Sequence, residues 1–364
     1  MSDTDRRMSD TDINDVRVAA DFRGISFSKF KKSQVKTELV KCLLASKIEQ
    51  TCNWAAELIC AGHFVDLWDT LIFIVSKHIH LGNPKLPIYL ARRFDVFKEI
   101  LRNGYANNEL AMRNNTQIRQ LFVEIIGVLC YSRKKHSIEP LNIQKKDEFD
   151  MTHMASRLKA PSIQYAAAVF SKEDPSELYI AVNELAYHVS KDSKNMMQAC
   201  YWLEWLIAYD LACNKKKEKC VASTRSHMPV LDKFKGDPIW LVWDVLFAAQ
   251  PTPTNPLLTK IMQALLDIFS IKFTPAVKYK RRFVLYFAIA LLTDVVDFSI
   301  EMISQTNRTE INFMVQKVDV VYRVIKKNEM KPATDYLTHG QPVERSNTDK
   351  TIERLQMMNA AQNL

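Results

Sequence analysis

Cys52-Asn53-Trp54-Ala55-Ala56-Glu57-Leu58-Ile59, followed by Leu67-Trp68-Asp69-Thr70-Leu71 and Asn83-Pro84-Lys85-Leu86, has a second version further along the chain. There it reads Cys200-Tyr201-Trp202-Leu203-Glu204-Trp205-Leu206-Ile207, then Val242-Trp243-Asp244-Val245-Leu246, then Asn255-Pro256-Leu257-Leu258. The patterns C-x-W-x-x-x-L-I, W-D-x-L and N-P-x-L recur in one order, which predicts a duplicated structural unit. Exposed tryptophans could serve as platforms on which nucleic-acid bases stack. Here they sit among aliphatics at helical period, the mark of a stripe facing a core.

Working outward, the periodicity stays helical. Val35, Leu39 and Leu43 share a face, Gly62 is placed to stop the helix that holds Trp54, and Pro84 and Pro87 punctuate the chain before Ile88–Leu101. Only seven glycines occur in 364 residues, few for a fold built on tight hairpins or phosphate-cradling loops. The expected fold class is all-α: two related multi-helix units from an internal duplication, with no sheet of note. Residues 1–21 read as a disordered segment, 22–136 as the first unit and 137–160 as a connection. Residues 161–331 read as the second unit, with a lysine-rich surface insertion at 214–236, and 332–364 as a polar tail.

Hydrophobic residues make up 47% of the chain and can bury one large core or two ordinary ones. The seven cysteines are scattered rather than framed for disulfides, which suits a reducing compartment. The acidic, polar start has no signal-peptide core, and the longest apolar run, Phe283–Leu292, is too short for a bilayer span of about 20 residues. No secretion and no membrane partner are expected.

Enzyme signatures are missing. Neither G-x-x-x-x-G-K-[ST] nor G-x-G-x-x-G occurs, so no backbone cradle for nucleotide phosphates is predicted, and G-x-S-x-G is absent. Asp69 and Asp244 recur behind a tryptophan, but no second acid recurs with them, which favours structural use over acid–base chemistry. Cys60, His63, His78 and His80 have zinc-binding types without a zinc spacing, and Cys213, Cys220 and His227 are a second such set; no metal and no cofactor is expected.

Fifty Lys+Arg against forty-one Asp+Glu leave a charge of +9. The cations gather in runs: Lys29, Lys31 and Lys32; Lys215, Lys216 and Lys217; Lys278, Lys280, Arg281 and Arg282. Such runs either contact phosphates by charge, independently of sequence, or are solvated helix ends. They are the candidate nucleic-acid-binding residues. His78 and His80, in a turn that the second copy lacks, and Asn83 just after it are candidates for a specific interaction.

The stretches Phe22-Arg23-Gly24-Ile25-Ser26-Phe27-Ser28, Trp54 to His63, Ser76 to Pro87 and Ala181-Val182-Asn183-Glu184-Leu185-Ala186-Tyr187 resemble a widespread, uncharacterised protein family of nucleocytoplasmic large DNA viruses of the algal-virus and giant-virus type. The similarity spans nearly the whole chain and implies a viral protein of the virion or of the infected-cell cytoplasm or nucleus. Over Gln50–Pro87 the sequence is also similar to the C-terminal helical collar of clamp-loader-like recombination ATPases. It lacks their ATPase module, so that likeness implies only helices and a tendency to homo-oligomerise. Together these point to a non-enzymatic scaffold or adaptor that meets DNA through phosphate contacts and binds other viral proteins. The alternative is a minor capsid or core protein that contacts proteins alone.

Overall fold

The computed structural model describes residues 10–106, 108–143, 149, 154–218, 220–253 and 255–330. Its regular structure is helical: α1 (Lys32–Leu44), α2 (Ile48–Cys60), α3 (Phe64–Phe73), α4 (Leu86–Arg102) and α5 (Thr116–Tyr131) form a first bundle. A second bundle holds α6 (Tyr179–Val189), α7 (Met196–Lys216), α8 (Ile239–Ala248), α9 (Pro256–Ser270) and α10 (Arg282–Thr293). Two more follow, α11 (Gln305–Gln316) and α12 (Asp319–Lys326). Among the described residues the only β pairing is an isolated bridge between Ile25 and Lys31.

Neighbour relations repeat from bundle to bundle. In the first, α1 packs on α2, α3 and α5, α2 packs on α3 and α5, and α4 packs on α5; α6 to α10 pack in the same pattern. The bundles meet where α4 lies against α9 and where α10 crosses α3 and the helical turn after it. The motifs fall at matching places, with Trp68 on α3 and Trp243 on α8, and Asn-Pro leading into α4 and α9.

Local chemistry sets the helix ends. Asn115, Asn195, Asn255 and Ser304 each accept a backbone N–H in the first turn of the helix they precede, satisfying a donor that has no intrahelical partner. Gly62 closes α2 at φ 76, a left-handed conformation that a Cβ would strain. Five of the six tryptophans are core: Trp202, Trp205, Trp240 and Trp243 are among the largest fully buried side chains, and Trp68 is 2% exposed. Trp54 is half-buried and meets the exposed Phe30 edge-on at 5.5 Å.

Three expectations change. The segment expected to be disordered is docked from residue 10 onward: Ile13 is buried, and Arg17 sits over the rings of Phe22 and Phe27 at 4.7 Å each while pairing with Asp15. Its polar composition hid this, because its charges are neutralised by each other rather than by water. Residues 1–9 and the tail 331–364 lie outside the described residues. Second, α11 and α12 follow the second bundle in sequence but pack on α5 and α2 of the first. The first bundle is therefore completed from both ends of the described chain, as Asn14 N–H donating to Glu329 and Val16 N–H donating to the Met330 carbonyl also show. Third, the 214–236 insertion is folded down. Arg225, 5% exposed, ties it to Asp174 and Asp244 at 2.6 and 2.9 Å.

Candidate polyanion-binding groove

The cationic runs have different fates. Lys278 is 2% exposed and lies between Asp210 and Asp237 at 2.7 and 2.9 Å. Burial works against its ammonium, yet the two carboxylates outweigh that and raise its pKa, so the charge is kept and consumed inside the fold. Arg281 is also buried, donating to the Phe269 and Ile271 carbonyls and pairing with Asp69 across the bundle interface at 2.7 Å. Arg282 donates to Glu204 at 2.8 Å. Of this run only Lys280 is exposed. Phosphate contact by Lys278 and Arg281 is thus excluded by burial, and this correction also gives Asp69 its role.

Lys32 shares Asp66 with Lys36, at 2.8 and 3.0 Å, while Lys29 and Lys31 remain exposed. Lys215, Lys216 and Lys217 are exposed at the C-terminal end of α7, where cations complement the helix dipole. The turn candidates are largely structural. His80 is 2% exposed and stacks on Phe287, with its centroid 4.8 Å away. Asn83 is buried and donates to the Met302 carbonyl and the Ser132 hydroxyl. Only His78 is half-exposed, its Nδ1 2.9 Å from that of His136. Burial first, then His136 and Lys77, push the His78 pKa down to about 4. The metal-type residues do not converge: Cys60 is buried with its thiol pushed up to about 12 by burial, His63 faces the Ile25 carbonyl, and His227 meets Asp244. No group of three or more His, Cys, Asp or Glu side chains suited to a metal occurs among the described residues.

The fold assembles a basic site that the sequence does not display as a run. A groove of about 540 Å³ opens between α4, α5, the start of α9 and the segment Met302 to Asn312. Lys85, Arg92, Arg93 and Arg308 line it, and Glu124 is the one carboxylate among its lining residues. Glu124 is already engaged, 3.3 Å from Arg93 and accepting from the Tyr89 hydroxyl at 3.2 Å. Arg93 lies over the Tyr89 ring at 5.3 Å, which fixes its plane, and its buried Nε has no partner. The floor is apolar, formed by Ile88, Val128, Ile303 and Ile311 among others. Low-dielectric walls beneath excess positive charge concentrate the field in the groove.

Two contacts place the Met302 to Asn312 segment against the first bundle. A Cβ at Gly127 on α5 would lie 2.7 Å from Ile311 on α11, so only glycine lets these helices approach so closely. Asn83 fixes the Met302 end from behind. The adjacent Arg92-Arg93 pair was visible in sequence, but nothing local announces that Arg308, far along the chain, will join it.

Comparison with protein-family models, with curated proteins and with solved structures finds no match.

Proposed function

We propose that this chain is a non-enzymatic scaffold or adaptor that holds DNA by its phosphates, seated in the groove between α4, α5 and α11. The observation that carries this is the convergence of four cations around one already-engaged carboxylate. Such a site attracts a polyanion by charge, independently of base sequence. The exposed Lys29, Lys31, Lys215 to Lys217 and Lys280 would extend the positive surface. Read with the resemblance to the large-DNA-virus family, the role is one in replication, transcription or genome packaging. The repeated neighbour pattern of the two bundles fits one ancestral unit used twice. A second reading, a structural virion component that docks on proteins alone, is favoured by the exposed Phe313, Val320 and Val324 on α11 and α12.

The test is the salt dependence of binding to a duplex of random sequence. Affinity should fall steeply between low and physiological salt, and replacing Arg92 and Arg308 by alanine should flatten the slope of log affinity against log salt by about 1 for each lost contact. Lys278→Met, whose ammonium is internal, should leave the slope unchanged wherever the protein remains folded. A slope near zero in the intact protein would sink the DNA reading and leave the protein-docking one.

A further inference from the structure

The basic groove offers an occupant two kinds of surface. Arg92 and Arg308 are exposed and Lys85 is half-buried, so positive charge meets solvent there. Ile88, Leu257, Met302 and Ile303 line the same groove, and each is only half-buried, so the neighbouring helices leave part of this apolar floor uncovered. Phosphates alone would satisfy the cations and leave the floor against water. An occupant that matches both surfaces is anionic along one edge and apolar along another.

Arg93 adds a surface of defined shape. Its guanidinium has the Tyr89 ring on one side at 5.3 Å and the Glu124 carboxylate 3.3 Å away, and its side chain remains 34% exposed. Glu124 also accepts from the Tyr89 hydroxyl at 3.2 Å, which closes the three groups into one set. With its charge matched by Glu124, Arg93 has its free face left to offer, and nucleic-acid bases stack on guanidinium planes. The groove's volume of about 540 Å³ falls in the range of about 300–1,000 Å³ that takes one drug-sized molecule, room for a base or two but not for a double helix. A duplex keeps its base faces stacked inside, and turning one out costs about a few kcal/mol. It would touch the exposed cations and leave the floor empty. A single strand presents phosphates and base faces together.

We propose that the groove prefers single-stranded to double-stranded nucleic acid, with phosphates on Lys85, Arg92 and Arg308 and a base seated on the apolar floor against Arg93. This deepens the DNA reading and rests on it. Three probes of about twelve nucleotides, within the size of known single-strand sites, test it on the full chain at one salt concentration: a thymidine strand, the same strand without bases, and a duplex. The thymidine strand should bind about tenfold tighter than either of the others, the factor that one stacked base contributes. Arg93→Lys keeps the charge but removes the plane; it should cost the thymidine strand about tenfold and leave the duplex affinity and the salt slope unchanged. Ile303→Asn should reduce the preference in the same way, and Leu257→Asn replaces it if that variant does not fold. Equal binding of the baseless strand or of the duplex would overturn the proposal while the DNA reading stands, as would an undiminished preference in these variants. Binding of none of the three would sink both. Tighter binding to phosphatidylglycerol vesicles than to the thymidine strand would assign the floor to acyl chains and overturn the proposal as well.

Discussion

The two bundles share a helix order and a tryptophan-phenylalanine contact, Trp68 with Phe97 and Trp243 with Phe269, but they close their cores differently. Over Trp243 the chain adds Trp240, Phe273 and the 214–236 insertion, whose Phe234 packs on Phe273 at 5.9 Å. Over Trp68 it leaves Val65, Leu101 and a cleft. The recurring aspartate tells the same story. Asp244 receives Arg225 from the insertion of its own bundle, whereas Asp69 receives Arg281 from the opposite bundle. One helical frame thus yields a self-sealed unit and a unit that depends on its neighbour, and sealing, rather than helix order, decides which core keeps a cleft over it.

The largest effect should come from removing Arg225. Alanine there strands Asp174, whose side chain is wholly buried, together with Asp244, and breaking a buried pair of this kind costs about 3–5 kcal/mol. Arg281→Ala leaves Asp69 with its side chain 22% accessible to water, and should cost less, about 2 kcal/mol. Urea unfolding measures both, and equal losses would mean that the bundles are not sealed differently. Trp240→Val should open over Trp243 the cleft that the first bundle has naturally, at about 3 kcal/mol. A much smaller loss would mean that the insertion, not the indole, fills that space.

Acid should separate the bundles next. Burial pushes His80 beside the first bundle down to about 4, although a hydrogen bond to the Tyr286 backbone opposes it. The unfolded chain therefore binds a proton that the folded one refuses, and stability complete above pH 6.5 is lost as pH falls towards 4, by about 3 kcal/mol. His80→Asn, which tolerates the local φ of 47, should flatten that limb. For Asp174, burial acts upward, but the Arg225 hydrogen bonds win and hold it at about 2. Its contribution is present above pH 3.8 and lost only as pH falls towards 2. Hydrogen exchange at pH 5 should accordingly open the turn after α3 before it opens α8; simultaneous opening would erase the distinction. The smallest effect belongs to Val65→Trp, which fills existing space and should shift stability by no more than about 1 kcal/mol. A larger loss would show that the cleft cannot take an aromatic ring.

Much of the fold was legible in sequence because helices announce themselves by local period. Leu39 beneath Val35, Gly62 after Cys60 and Asn255-Pro256 before α9 are signals complete within a few residues. Lys278 and Lys280 show the limit. In sequence they are equivalent members of one basic run, but one faces Asp210 and Asp237 and the other faces water. Charge patterning cannot separate them, since the neutralising carboxylates arrive from distant helices. The groove was missed for the converse reason, its cations being dispersed over α4 and α11.

By itself, then, the sequence determined helix, core tryptophans and the order of the repeated motifs, because hydrophobic period and capping act within one or two turns. Only the tertiary structure decided which cations are spent on buried carboxylates, which converge on open solvent, and which of two similar aromatic cores is left uncovered. Those outcomes depend on burial and on partners brought together from remote segments, and neither is encoded at any single position.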